Sequence, residues 1–573
     1  MSHEISRRQA IKFITGSGVA LYLTPHLNAW AQTVPGMAGA ATASAFNLSN
    51  FSPIDRSLPQ VATKDFFADD PERAHKILWD KATYLKSISG KIPANPEKAP
   101  LVVIGGGMSG LVSAYLLREY QPIVLEMAPR FGGNAKGQSW QGIDYSIGAA
   151  YFIEPEAETD IANLITELGI DQIWKIKSEE DPVAINGSIY KAFWSGETLG
   201  DDASAKEQLE KLATYFKTVN EGETIPYPDI PITDPEQESY IKELDKVSFK
   251  SHLEKVAGGR LHPHIETAIE QYCWSSLNAS ASEVSAAAGL NFYASEFSNI
   301  ALLPGGNAAV AERVLERLSQ AVPAANLRAN SLVFDVTVKS DGVHITYVNG
   351  ADQVQTIVAQ AAIMACPKFV AAKVLNEIEA ERLKEIQKIK YRSYLVANVC
   401  LQTEFGQDPF YDLYMLGDGK LDTSNTMAAA QGRKVTDVIL ANYAKSVAGH
   451  TVLTLYRGMP YEGARADLYA PGSYGRYRDS FERQINETIL PLLKLKKESV
   501  VDLRIARWGH PLPVAATGMI ANGTTAALRK PFRGKVFFVE QDNWVLPAFE
   551  TALTEALLWA PEVKKVLPKA KQA

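Results

Sequence analysis

The apolar run Leu101-Val102-Val103-Ile104 ends on a cluster of glycines, and this junction constrains the fold more than any other stretch of the chain. Gly105, Gly107 and Gly110 follow the run in G-x-G-x-x-G order. A helical pattern comes next (Leu111, Ala114, Tyr115, Leu117), then a second apolar strand at 122–125, closed by Glu126. The acid stands about 20 positions after the first glycine. A lone glycine motif is weak, but strand, glycines, helix, strand and acid at this spacing specify a dinucleotide grip. Gly105 permits the tight turn, Gly107 lets the backbone approach a pyrophosphate, and Gly110 lets helix and strand pack closely. Met108 and Ser109 open the helix, whose free N–H groups and positive dipole end suit phosphates. Glu126 accepts hydrogen bonds from a ribose diol and, being acidic, disfavours a 2′-phosphate.

The next residues, Met127-Ala128-Pro129-Arg130-Phe131-Gly132-Gly133-Asn134, carry a more specific pattern. E-x-x-x-R-x-G-G resembles the second dinucleotide motif of the flavin-containing amine oxidase superfamily, which includes phytoene desaturase-like and protoporphyrinogen oxidase-like enzymes. The resemblance implies FAD as cofactor, held through Glu126, Met127, Arg130, Gly132, Gly133 and Asn134 besides the first glycines. Family members often have Arg at the place of Asn134; the change removes one cationic phosphate contact and leaves the glycine turn. The segment 144–151, DYSIGAAY, is similar to the family's stretch beside the isoalloxazine ring, which implies flavin contacts from Gly148, Ala149, Ala150 and Tyr151.

Three further anchors follow in family order. Leu303-Pro304-Gly305-Gly306-Asn307 and the helix after it resemble the turn that re-enters the FAD domain. Leu332-Val333-Phe334-Asp335-Val336 resembles the strand whose backbone pairs with adenine, which points to Val333, and Ala365-Cys366-Pro367 the strand end after it. The stretch KVFFVEQDNWVLPAFETALTEALL resembles the closing strand and helix. On that match Glu540 falls where the family has an acid near the ribityl chain, with Asp542 as the alternative. Pro547, Ala548 and Phe549 open the helix whose N-terminus faces the flavin O2.

With 573 residues the chain exceeds what one hydrophobic core usually serves. The expected fold is α/β: a discontinuous Rossmann-like FAD-binding domain with a mixed-sheet and helical substrate domain. The FAD domain is expected from 98–190, 300–370 and 505–565, and the substrate domain from a helical insertion at 191–299 and from 371–504. Strand alternation at 332–338, 343–348 and 361–366 brackets a hairpin turn at Asp341-Gly342. Helical patterns are expected at 205–219, 235–257 and 474–493, and at 71–86 within an N-terminal arm, 32–97.

The chemistry follows from the flavin, over whose N5 the protein must place a substrate C–H. Family amine oxidases use an aromatic pocket that desolvates the amine, and many carry a lysine that holds a water at N5. The corresponding strand reads Tyr394-Leu395-Val396-Ala397-Asn398-Val399-Cys400, without lysine, and register makes Asn398 the nearest candidate for the slot. That departure opens a dehydrogenase reading beside an oxidase, with oxygen, a quinone or a cytochrome as the electron acceptor. This strand, the Pro-Gly-Gly-Asn turn and Arg507-Trp508-Gly509-His510-Pro511 resemble the spermidine dehydrogenase-like branch. Tyr151, Tyr456, Trp508 and Trp544 are the aromatic candidates for the substrate side, each weighed against a place in the core. His510 is a candidate proton acceptor or substrate partner.

Three functions are carried forward. The first is oxidation of a small amine, polyamine or amino acid by hydride transfer to flavin N5. The second is a desaturase or isomerase acting on an apolar substrate, and the third a flavin-binding redox partner without turnover. A long apolar pocket without acids would favour the second; an aromatic pocket with an acidic mouth, which Glu154, Glu156 and Glu158 could supply, favours the first. A net charge of −7 argues against nucleic acid as a partner. Cys273, Cys366 and Cys400 are too few and too scattered for a disulfide framework, and His262-Pro263-His264 lacks a third ligand at metal spacing, so no metal is expected.

The first 31 residues read as an export signal. Arg7 and Arg8 precede an apolar run and the small-x-small site Ala29-Trp30-Ala31. The order Ser-Arg-Arg-x-x-Ile-Lys resembles a twin-arginine signal, with Ala10 where that pattern usually has Phe. The run is too short for a stable span of about 20 residues, so the expectation is a periplasmic protein exported by the twin-arginine machinery with no stable membrane span.

Overall fold

The computed structural model describes residues 65–93, 95–419 and 434–568. The export segment with Arg7 and Arg8, and residues 32–64 of the arm, lie outside the described residues.

The apolar run before the glycines is the centre of the first sheet. Glu97–Ile104 lies between Ile123–Leu125 and Val354–Met364, parallel to both. Leu101, Val102 and Val103 are fully buried, the pattern of a parallel strand covered on both faces. Val536–Phe538 extends the parallel set beside the end of Val354–Met364, and Leu327–Arg328 closes the opposite edge. The hairpin Leu332–Lys339/Gly342–Val348 joins antiparallel, turning at Asp341-Gly342 as expected. Helices Met108–Leu116, Ala308–Ala321 and Phe549–Lys564 cover one face through Leu111, Val314, Leu318 and Leu553. The Rossmann-like unit is thus assembled from stretches hundreds of residues apart.

The second sheet has eight strands in the order Phe67–Ala68, Val500–Pro513, Tyr391–Leu401, Thr451–Met459, Asp437–Leu440, Tyr414–Gly417, Val183–Ile185, Ser188–Tyr190. It is mixed, with parallel pairing at Phe67–Ala68 and at Val183–Ile185. Strand alternation sends Leu395, Ala397 and Val399 to one face, against Phe481 and Ile485, and Tyr394, Val396 and Cys400 to the other, against Tyr145 and Trp508. The helical insertion packs Ala203–Glu221, Glu238–Asp245, Phe249–Ala257, Pro263–Tyr272 and Ala286–Ser295 around Phe216, Phe249 and Tyr293. Among the described residues no helix is long and apolar enough to cross a membrane.

The structure moves several expected boundaries. Residues 183–190 form the outer edge of the second sheet instead of ending the first FAD segment. All of Val500–Pro513 belongs to that sheet, so the third FAD segment starts after 513 instead of at 505. Helix Lys368–Val374 packs Ala371 and Val374 on the first sheet, beyond the expected limit at 370. The pattern at 71–86 is two helices, Glu72–Leu78 and Lys81–Ser87, because Asp80 caps the second through the Thr83 N–H at 3.1 Å. In the same way Ser248 starts a new helix inside 235–257, accepting from the Ser251 N–H. The 474–493 pattern is Ser473–Gln484 followed by a π-helical turn at Ile485–Ile489.

Candidate active site

Gly105 turns the chain at φ +111°, and a Cβ there or on Gly110 would collide with a backbone carbonyl oxygen, of Ala365 or Gly105 respectively. Helix Met108–Leu116 therefore starts against the strand ends with Gly107 as N-cap and no side chain capping it. Its first amides are left for an anion. Gly133 faces Gly107 so closely that a Cβ on it would lie 2.9 Å from the Gly107 Cα. Glu126 accepts from the Gly106 N–H at 2.7 Å and the Ala128 N–H at 2.8 Å, fixing its carboxylate beside the glycine turn. Arg130 donates to the Gly137 carbonyl at 2.8 Å, and Asn134 to the Pro511 carbonyl at 3.1 Å. Met108 and Ser109 are buried in the helix start, Met127 is largely exposed, and Val333 lies next to the bulge in its hairpin ladder.

A cavity of about 1080 Å³ opens where the two sheets meet. Gly148, Ala149, Ala150 and Tyr151 line one side with Asn134, and Pro547, Ala548 and Phe549 another. The helix Phe549–Lys564 starts at Ala548 without a side-chain cap, so a second set of free amides meets the cavity. The residues present fit FAD: an uncapped helix start behind side-chain-free glycines, a buried acid beside them, and a second uncapped helix start at the cavity. Bound FAD supplies a two-electron oxidant at this place.

Glu540 and Asp542 both lie outside the cavity lining. Glu540 is ion-paired with buried Lys368 and accepts from the Asp542 N–H at 2.6 Å. Asp542 accepts from the Lys368 N–H at 2.9 Å and from the Tyr391 hydroxyl. The two acids are parts of one buried network around a lysine that sequence reading missed.

The second sheet supplies the opposite wall. Val396 faces Tyr456, Tyr456 faces Asp437, and Asp437 faces Tyr414, so these four form one row across four strands, and all line the cavity. The Tyr456 hydroxyl donates to the Gly148 carbonyl, and its ring meets Tyr394 edge-on at 5.6 Å. Tyr151 also lines the cavity, its ring edge-on to Tyr411 at 5.9 Å. Trp508 lines it too, held by its indole N–H on the Ile147 carbonyl at 2.7 Å.

Three acids stand in this wall: Glu296, Asp412 and Asp437. Burial pushes Glu296 up to about 7, against the hydroxyl donors Tyr272 and Tyr151 that favour its charged form. Burial likewise raises Asp437 to about 6, opposed by hydrogen bonds from Ser275, Thr436 and Asp412. Asp412 is raised by burial and by the charge of Asp437. No lysine, arginine or histidine lines the cavity among the described residues.

Three sequence candidates lie elsewhere. Asn398 is on the same face as Val396 but two residues further along, fully buried and bonded to Thr454 at 2.7 Å; the strand residues at the cavity are Tyr394 and Val396. His510 packs on Phe369 at 4.6 Å, outside the lining, in the stretch where the strand's register shifts between Trp508 and Leu512; burial depresses it to about 3. Trp544 is core, under Arg529 and bonded to Glu555 at 2.6 Å. His262 caps helix Pro263–Tyr272 through the His264 N–H.

The missed residues left some trace. Asp437 is an acid inside the apolar strand at 435–440, and Asp412 and Tyr414 alternate with buried Leu413. Glu296 follows a helix end and gave no signal.

Comparison with known proteins places this geometry. A family model described as flavin containing amine oxidoreductase matches residues 108–456. Oxidoreductase PigB of Serratia sp. (strain ATCC 39006) is 23% identical over 520 residues, covering 82% of this chain and 76% of that protein. Wild-type putrescine oxidase bound to putrescine is 16% identical, with a TM-score of 0.60, covering 82% of this chain and all of that one. A fatty acid isomerase from P. acnes that produces CLA is 15% identical, with a TM-score of 0.57, covering 81% and 98%. At these identities the solved structures show the shared fold, and that fold carries both an amine oxidase and an isomerase.

Proposed function

The chain belongs to the flavin containing amine oxidoreductases, and from that premise we propose that it oxidises a small amine or polyamine that enters as a cation. The observation that carries this reading is the charge of the cavity wall: Glu296, Asp412 and Asp437 line it, and among the described residues no basic side chain does. A carboxylate-bearing substrate, whether amino acid or fatty acid, would find no cation to meet it. An apolar polyene would leave buried acids facing hydrocarbon at a cost. A protonated amine pairs with the acids, and Glu154, Glu156 and Glu158 at the same cavity's outer loop favour its approach.

The chain's own residues then do three things. Tyr394, Tyr456 and Trp508 wall the reacting end and exclude water. The acids hold the substrate's positive charge. The uncapped amides at Ala548 stabilise negative charge that develops on the ring side of the cavity. The strand that would carry the family's lysine presents Tyr394 and Val396 to the cavity, and no lysine lines it among the described residues, which supports a dehydrogenase that hands electrons to a quinone or cytochrome over rapid use of oxygen.

The test is anaerobic mixing of the FAD-loaded protein with amines, diamines, amino acids and polyenes while the visible flavin band is followed. Bleaching by amines and diamines is expected; bleaching by polyenes alone, or by none, overturns the reading. The reading extends to export: Arg7 and Arg8 direct the folded chain to the periplasm. Replacing both with lysine should retain it in the cytoplasm, and unchanged export would remove that part.

A further inference from the structure

We propose that Asp412 and Asp437 act together as the proton acceptor for the substrate's ammonium group, a step that rests on the amine reading above. Leu413 and Val438 exchange both backbone hydrogen bonds at 3.1 Å, which clamps the two strands where the aspartates flank them. Asp412 and Asp437 are hydrogen-bonded to each other. Their oxygens Asp412 Oδ1 and Asp437 Oδ2 are buried and have no donor. Two carboxylates in this relation cannot both be ionised, because like charges at hydrogen-bond distance in a buried site repel too strongly. The pair therefore carries one proton and one negative charge, and has room for a second proton.

The surroundings keep that capacity free. The charged groups facing the pair are Asp181 and Glu296. Asp181 is committed to Lys177 at 3.0 Å, and Glu296 accepts two tyrosine hydroxyls. The other titratable neighbours, Tyr394, Tyr411, Tyr414 and Tyr456, are held neutral by burial. Among the described residues no lysine or arginine forms an ion pair with Asp412 or Asp437. Ser275 and Thr436 hydrogen-bond Asp437 and steady its charged form.

The place is right for the chemistry. Asp437 is one strand from Tyr456, which touches Gly148 beside the expected ring; adjacent strands are about 4.8 Å apart. An ammonium nitrogen has no lone pair to assist loss of hydride from its α-carbon. Transfer to the pair breaks one N–H bond and leaves its electrons on nitrogen as the lone pair. The proton forms a new O–H bond, so the pair goes from one proton to two and from −1 to neutral while the amine goes from +1 to neutral. Hydride loss from the α-carbon then yields an iminium, with FAD as the two-electron oxidant. Glu296 is the poorer acceptor, since Tyr151 and Tyr272 both donate to its Oε1 and steady its charged form.

The test uses FAD-loaded protein carrying Asp412→Asn or Asp437→Asn, with putrescine and propylamine as probes. Rapid anaerobic mixing gives the limiting rate of flavin reduction across pH. That rate should fall about 100-fold at neutral pH in each variant, and recover only as pH approaches the free amine's own pKa. Asp437→Glu, which keeps an acid, should retain most of the rate with a shifted pH profile, and it serves if the asparagine variants fail to fold. Infrared spectroscopy of the substrate-free protein should show a protonated-carboxyl band at neutral pH that the double asparagine variant lacks. Unchanged limiting rates and pH profiles overturn the proposal while the amine reading stands, as does weaker binding with an unchanged limiting rate, which makes the pair an anchor only. If neither amine bleaches the wild-type flavin while the infrared band is present, it is the amine reading that has failed.

Discussion

The hydroxyl of Tyr151 donates to Oε1 of Glu296 across 2.9 Å, and the same oxygen accepts from Tyr272 at 2.8 Å. The cavity-lining segment 148–151 is thereby tied to the helical insertion through one partly buried acid. Burial raises Glu296 to about 7, so between roughly 4.5 and 7 the folded chain holds a proton that the unfolded chain has released. The stability this gives is complete below the lower value and is lost as pH climbs through the upper one. Relative to the Glu296→Gln variant, the wild type should lose about 1–3 kcal/mol between pH 4.5 and 7. Urea unfolding at several pH values measures it, and parallel curves for the two proteins would refute the burial account.

Glu126 holds both its oxygens on backbone donors, Gly106 N–H and Ala128 N–H. Glu126→Gln turns an amide group against one of those N–H groups and removes the charge offered to a ribose. A hydrogen bond to a charged group contributes about 1.5–3 kcal/mol, so FAD should bind about 10- to 100-fold more weakly. The rise of FAD fluorescence on dilution reports the dissociation constant; unchanged affinity would mean the acid does not meet the cofactor.

Much of the cofactor half was legible because its determinants are local. A strand, a glycine turn that no Cβ could occupy and a helix start are specified within ten residues at 101–110, and the Asp341-Gly342 turn within two. The substrate half was not, because its wall is a row built across strands. Val396, Tyr456, Asp437 and Tyr414 become neighbours only when pairing registers are set, and a register depends on partners far along the chain. Asn398 shows the same limit: the strand and face were readable, but the residues that reach the cavity are Tyr394 and Val396, and Asn398 is buried beside Thr454. Single helices were expected at 71–86 and 235–257 because the helical period ran through Asp80 and Ser248, whose side chains instead cap new helices.

Asp69, from the N-terminal arm, is bound to the strand that carries Trp508. Its carboxylate accepts from the Gly509 N–H at 2.8 Å, from Arg507 at 3.0 Å and from the Tyr469 hydroxyl. Asp69→Ala leaves a partly buried guanidinium and a buried amide without that acceptor. A loss of about 1.5–3 kcal/mol in unfolding free energy is expected, together with faster proteolysis of the arm. A variant as stable as the wild type would show that the arm is held by other contacts.

His510 provides the opposite kind of test, since sequence proximity to Trp508 made it a candidate and the fold removes it from the cavity. It packs on Phe369 and lies 6.3 Å from Tyr391, and burial depresses it to about 3. It is therefore neutral throughout the working range and has no proton to exchange there. Because its folded value lies below the ordinary 6.5, the stability it gives is present above 6.5 and lost as pH falls. His510→Gln should leave the amine-driven rate of flavin reduction within about twofold and its pH profile unmoved, because a group that meets neither substrate nor cofactor contributes nothing to the proton step. The same variant should lose only about 1 kcal/mol of stability, through poorer packing against Phe369. A tenfold fall in the reduction rate, with the pH limb displaced, would mean that His510 acts on the cavity through Tyr391 and Asp542, and that the neutral, structural assignment is mistaken.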